Sequence, residues 1–173
     1  MKLLQSGAIL ALVFILIGCS TSSLITTDKS MPEVYEDQNE THEEKNDVTV
    51  SVFRLHNYTD TPRAGMRASN IIEGILLARG YKVTSHLKDK IPNMKKARKI
   101  AREDGSKYFM YGGVSEWRYK TGIDGEPAVS IQLSLYKTKK AKLAWSATGS
   151  DSDWGNASIG TTAQDLLSEM MSN

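Results

Sequence analysis

Among its 173 residues the chain has a single cysteine, Cys19. One thiol forms no intrachain disulfide, so the folded part must be held by its own apolar core. The longest apolar run, residues 8–17, is about ten residues, too short to cross a bilayer as a helix. No internal repeat is visible. The three histidines, His42, His56 and His86, lie far apart with no pair at ligand spacing, so no metal site is expected. Asp151-x-Asp153 begins like a calcium loop, but no glycine stands at its sixth position and no glutamate closes it. Ser115 lacks the Gly-x-Ser-x-Gly elbow of a nucleophile and has no evident partner histidine. Asp124 and Glu126 lie on a turn rather than in a cleft that would split their pKa values. The expectation is therefore a protein that is not an enzyme and uses no cofactor.

What the chain does have begins at its start. Lys2 is followed by the apolar run and then by Gly18-Cys19. That order fits a secretory signal, and Leu16-Ile17-Gly18-Cys19 resembles the bacterial lipobox, where cleavage precedes an acylated cysteine. Two acyl chains on the sulfur and an amide-linked third (palmitate is the common type) would make anchoring effectively permanent. Ser20 rather than aspartate after the cysteine favours the outer membrane, by resemblance to sorted lipoproteins of Gram-negative cells.

The formal charge of +2 hides a division. Residues 28–47 hold eight acids against Lys29 and Lys45, a balance of −6, whereas the chain from Val48 onward carries +7. With few apolar residues the acidic stretch cannot bury enough surface to fold, so it reads as a tether, or alternatively as an acidic interaction tail. The expected organisation is a lipoprotein signal peptide over 1–18, an acidic disordered tether over 19–47 and one domain over 48–173, about 125 residues, enough for a core.

Within that domain the dominant feature is a long hairpin: residues 108–119, an exposed turn over 121–127, and 128–138. Val129, Ile131, Leu133 and Leu135 alternate with Ser130, Gln132, Ser134 and Tyr136, the period of a half-buried strand. Ahead of it, 48–53 reads as a strand and a helix follows Thr61, its expected cap, and Pro62, ending at Gly80. Residues 81–84 read as a short strand. A second helix after Pro92 has Met94, Ala97, Ile100 and Ala101 on one face and Lys95, Lys96, Arg98, Lys99 and Arg102 on the other. Gly112-Gly113 suggests a bulge or bend in the first hairpin arm. A last strand carries Leu143, Trp145 and Ala147, a loop spans 149–156, and a final helix places Ile159, Ala163, Leu166, Leu167, Met170 and Met171 on one stripe. The expected fold is α+β: a mixed five-stranded sheet in the order β-α-β-α-β-β-β-α, with helices on its apolar face.

Behind an export signal the basic helix does not point to nucleic acid; it is an ordinary solvated face or a contact for anionic headgroups or an acidic partner. Trp145 is expected in the core, and Trp117 is ambiguous. Trp154, in a polar loop, suggests contact with membrane headgroups or a neighbouring subunit, against a simple cap on the domain's edge.

Glu116-Trp117-Arg118-Tyr119-Lys120-x-Gly122-x-Asp124-Gly125-Glu126-Pro127-Ala128-Val129 resembles a signature of PelC lipoproteins of the Pel exopolysaccharide export system. Asn57-x-Thr59-x-Thr61-Pro62-x-Ala64-Gly65, Ala78-Arg79-Gly80, Leu143-Ala144-Trp145-Ser146-Ala147 and the Trp154 loop resemble it in the same order. The resemblance implies a non-enzymatic outer-membrane lipoprotein that faces the periplasm, forms a ring of twelve subunits beneath a β-barrel exporter, and guides a cationic polymer through an acidic surface. It further implies roles for residues: Cys19 for lipid attachment, Asp124 with Glu126 for the guiding surface joined by Asp151 and Asp153, and Trp154 for the membrane interface. A monomeric envelope-assembly lipoprotein that binds a protein partner is the alternative, and a carbohydrate-active enzyme a third.

Overall fold

The structure, a computed structural model, describes residues 21–26, 30–32, 48–121, 125–153 and 157–172. Among the described residues ten elements follow one another: β1 (Thr21–Thr26), β2 (Thr49–Phe53), β3 (His56–Asn57), α1 (Ala64–Ala78), β4 (Lys82–His86), α2 (Met94–Glu103), β5 (Tyr108–Tyr119), β6 (Pro127–Lys137), β7 (Lys142–Ser152) and α3 (Ile159–Ser172). The α+β class and the mixed sheet are as expected. Among the described residues the sheet has seven strands rather than five, in the order β1-β7-β6-β5-β2-β4 with β3 also paired to β5. β1, β7, β6 and β5 run antiparallel, while β2 is parallel to both β4 and β5.

Both added strands lie where composition is a weak guide. Thr21-Ser22-Ser23-Leu24-Ile25-Thr26 precedes the first acid, Asp28, so averaging over 19–47 hides a short β-branched segment. It pairs along β7 from Thr21 opposite Ser152 to Thr26 opposite Ala147. Farther on, Met31 is buried and the Tyr81 hydroxyl donates to the Pro32 carbonyl. The expectation of structureless chain throughout 19–47 is therefore corrected for 21–26 and 30–32. β3 is a two-residue pairing onto Gly113 and Val114 of β5.

The alternation of β6 decides the layering. Val129, Ile131, Leu133 and Leu135 are buried on a face shared with Val50, Val52, Met110, Val114, Trp117, Trp145 and Ala147, and α1 and α3 pack over it. Trp145 is core as expected, and Trp117 joins it. α1 covers this face with Ala68, Ile72 and Leu76, and α3 with Ala163, Leu166, Leu167, Met170 and Met171. The opposite face is covered at one end by α2, where Ala97 and Ala101 pack on Phe53 and Phe109.

Local signals are met unevenly. Gly80, at φ 83°, closes α1 with its N–H on the Leu77 carbonyl and that of Tyr81 on Leu76, a Schellman arrangement. Asn93 caps α2 by accepting from the Lys96 N–H at 2.9 Å. Thr61 does not cap α1: Arg63 holds that position in the left-handed region, and the Thr61 hydroxyl donates to the Trp117 carbonyl. The bulge falls at Ser115, between Val114 and Glu116, and not at the glycine pair. Gly112 serves close approach instead, since a Cβ there would lie 2.1 Å from the Gln132 carbonyl oxygen.

Candidate functional site

β7 continues through 149–152, where a loop is expected from sequence. Two ladders hold this polar stretch straight: Ser152 pairs with Ala128 of β6 on one side and Thr21 of β1 on the other. Strand geometry then dictates where Asp151 points. It shares a row with Val129 and Trp117, on the face covered by α3. One carboxylate oxygen of Asp151 is buried and finds no hydrogen-bond partner among the described residues, and the Trp117 indole N–H has none either. Burial pushes the Asp151 carboxyl above its ordinary value. The backbone N–H of Ser152 pulls it back, while the charges of Asp153, Glu169 and Asp165 push it further up.

Four carboxylates therefore share one end of the sheet. Asp151 and Asp153 are the expected members of an acidic surface; Asp165 and Glu169 are additions. The latter two are exposed residues of α3, one helical turn apart. Their signal is the i, i+4 spacing of two acids beside the apolar stripe, legible only once β7 is known to run alongside.

Glu126 behaves differently. Its carboxylate lies 3.2 Å from the Lys120 ammonium, with the side chain only 17% exposed. Its carbonyl also accepts the Lys120 N–H at 2.7 Å. The expectation of an exposed turn is corrected at this position: Glu126 is largely covered and clamps the base of the β5–β6 turn. Asp124, Cys19 and Trp154 lie outside the described residues.

One other constellation has the residue types of a catalytic site. Ser51, His86 and Asp104 are side by side, but the Ser51 hydroxyl donates to the Asp104 carboxylate at 2.6 Å, not to an imidazole, and Ser51 is fully buried. His86 places its Nε2 2.8 Å from Asp104 and its Nδ1 3.1 Å from Asp89, and stacks on Phe53. Burial lowers its basicity, but hydrogen bonds and charge from Asp104 and Asp89 outweigh that and raise it above its ordinary value. This is a clasp between β4 and the end of α2, not a nucleophile and its base. Among the described residues no group of three or more His, Cys, Asp or Glu side chains could hold a metal ion. No described helix is long and apolar enough to cross a membrane.

On α2, Arg98 donates to the carbonyls of Thr138 at 3.0 Å and Lys139 at 2.6 Å, tying the helix to the β6–β7 turn. Lys95, Lys96 and Arg102 remain exposed.

No family model and no curated protein matches the chain. Among solved structures it is similar to the PelC dodecamer from Paraburkholderia phytofirmans, at 30% identity and a TM-score of 0.72, over 88% of this chain and 96% of that one. A single-substitution variant of that dodecamer, in another crystal form, aligns equally well at 29% identity. The lipoprotein GNA1162 from Neisseria meningitidis shares the fold at 21% identity, with a TM-score of 0.52 over 64% of this chain and 86% of that one.

Proposed function

Because the chain belongs to the PelC family, we propose that it is an outer-membrane lipoprotein that assembles into a ring and guides a cationic exopolysaccharide, Pel, toward a β-barrel exporter. The observation that carries this reading is the likeness to the PelC dodecamer over 88% of the chain, and beside it Asp153, just past the end of β7, and Asp165 and Glu169 of α3 gather around Asp151, a local concentration of acids at one end of the sheet. A polymer of partly deacetylated amino sugars carries ammonium groups, and such a field raises its local concentration. One exposed carboxylate attracts weakly in water, by about 1 kcal/mol at contact. A closed ring multiplies the set, and the dodecameric state of the similar structure supports that geometry. Weak, repeated sites suit a conduit, because tight binding would stall the polymer.

The residues take the following parts. Asp151, Asp153, Asp165 and Glu169 form the field, and Asp124 joins it from the turn that Glu126 and Lys120 close. Cys19 carries the lipid. In the sequence Cys19 stands two residues before Thr21, which pairs with Ser152, and Trp154 stands two residues after Ser152. The pairing of Thr21 with Ser152 supports seating of this end of β7 at the inner leaflet, with the lipid and the tryptophan as its two contacts.

The test is polymer secretion by strains carrying Asp124→Asn or the pair Asp153→Asn and Glu169→Gln, with subunit number measured by native mass spectrometry. Export is expected to fall severalfold while the ring persists. Normal export by ring-forming variants overturns the guiding role, and a wild-type monomer overturns the ring.

A further inference from the structure

The 57–61 loop is heavily constrained, and what it presents is an aromatic ring left in solvent. Asn57 Oδ1 accepts from the Thr59 N–H at 3.0 Å and the Thr59 hydroxyl at 2.8 Å, and Asn57 Nδ2 donates to the Thr61 carbonyl at 2.9 Å. The Thr61 hydroxyl fastens the far end to the Trp117 carbonyl, and the Tyr58 N–H donates to Val114 at 2.9 Å. The Tyr58 ring stacks on His56, centroids 5.7 Å apart and 14° from parallel. His56 Nε2 lies 2.7 Å from the Tyr111 hydroxyl, which spends its own proton on the Pro92 carbonyl at 3.0 Å, so the imidazole is the donor. Gly113 lies beneath the ring: a Cβ there would come within 2.6 Å of Tyr58 Cε2. Despite these supports Tyr58 is 71% exposed. The core gains almost nothing from it.

Beside the ring is a recess of about 360 Å³ lined by Asp60, Ser115, Glu116, Arg118 and Ser130 as well as Tyr58. The bulge turns Ser115 outward, where its hydroxyl donates to that of Ser130 at 3.0 Å. Glu116 is 2.9 Å from Arg118. The volume is at the small end of ligand sites, about 300–1,000 Å³, which suits pyranose rings rather than a macromolecule.

We propose that this recess is a subsite for amino-sugar residues; the assignment rests on the polysaccharide-guiding reading above. The rigid tyrosine face takes the apolar C–H face of a pyranose and attracts a neighbouring ammonium. Asp60 and Glu116 accept from that ammonium and from ring hydroxyls. Arg118 donates to a hydroxyl or to the carbonyl of an N-acetyl group, so acetylated and free amino sugars both find partners. Two carboxylates against one guanidinium leave the recess negative, which favours the deacetylated sugar.

The test titrates the full chain in detergent with glucosamine hexamer and with its fully N-acetylated counterpart, by calorimetry. The glucosamine hexamer is expected to bind several-fold more tightly than the acetylated one, and the difference to shrink with added salt. Tyr58→Ala and Glu116→Gln are each expected to weaken it about tenfold, whereas Tyr58→Phe keeps the stack and most of the affinity. Gly113→Ala tilts the ring, leaves every other lining residue in place, and is expected to weaken binding as well. A wild-type chain that binds neither hexamer, or a Tyr58→Ala chain that binds as wild type, overturns the subsite. So does a Tyr58→Ala chain whose subunit number changes while the wild type binds no sugar, which would make the recess a contact between copies. If the acidic-surface variants lose export but the hexamers do not bind, the guiding reading stands and the subsite falls. If the hexamers bind at Tyr58 while those variants export normally, the subsite stands and the guiding reading falls.

Discussion

The two faces of one strand, β6, divide the molecule's work. Leu133 is buried beneath the helices, where Ile131, Leu135, Trp145 and Leu167 are also enclosed. Its neighbour Gln132 points the other way and is exposed, opposite Gly113 of β5 and Thr148 of β7. The helix-covered face is apolar almost without interruption, and its exception is the Asp151 end. The opposite face is apolar where α2 sits and at the exposed Ile25 of β1; between them run Ser115, Ser130, Gln132, Ser134, Ser146 and Thr148. A sheet face kept polar and open gains little for folding, so its side chains are free to be chosen for contact with something else.

The sharpest way to break this comparison is to truncate both neighbours. Leu133→Ala is expected to cost about 2–5 kcal/mol in urea unfolding, the range for emptying a packed leucine site. Gln132→Ala, one residue away, is expected to stay within about 0.5 kcal/mol. Similar losses at both positions would mean that the open face is covered in solution.

The next effect is smaller and depends on pH. His86 fastens the edge strand β4 to α2 on the sparsely covered face. Its basicity is raised in the folded state, so the clasp contributes fully below the ordinary histidine value of about 6.5 and is lost as pH rises through the higher folded value. Unfolding midpoints are expected to drop as pH rises above about 6.5. The drop should be smaller in His86→Gln; an equal drop in that variant assigns it to other groups.

The smallest effect has the opposite sign. Burial holds the Asp151 carboxyl above its ordinary value, so its charged form is disfavoured in the fold and Asp151→Asn is expected to raise the melting temperature slightly near pH 7. The gain should disappear as pH falls toward the carboxylate range, where the native aspartate is itself neutral. A destabilised Asp151→Asn chain would show that the bond from the Ser152 N–H outweighs the cost of burying the charge.

How much of this is legible in the sequence depends on whether a residue's partner is near in the chain. The β5–β6 hairpin, the burial of Trp145, the two faces of α2 and the Gly80 cap all follow from periods or signals within a few residues. β1 escapes such a reading because six Ser, Thr and aliphatic residues specify a strand only once β7 is beside them. The polar 149–152 stretch reads as loop for the reciprocal reason: its ladder bonds come from both neighbours. Thr61 has the chemistry of a cap, but a backbone carbonyl 56 residues away claims its hydroxyl. The candidate site splits along the same line. Asp151 and Asp153 are named through the family resemblance, whereas Asp165, Glu169 and the Lys120–Glu126 clamp need the register.

The β1–β7 pairing also sets an order of events. Thr21 emerges among the first residues, but its partner Ser152 follows roughly 130 residues later, the kind of long-range closure that is slow to form. Until β7 exists, β1 has no strand to pair with, and until β1 docks, the outer edge of β7 stays open. Closing that edge is thus among the last steps of folding, and under the lipid-anchored reading proposed above it is also the step that fixes how far the domain sits from its anchor.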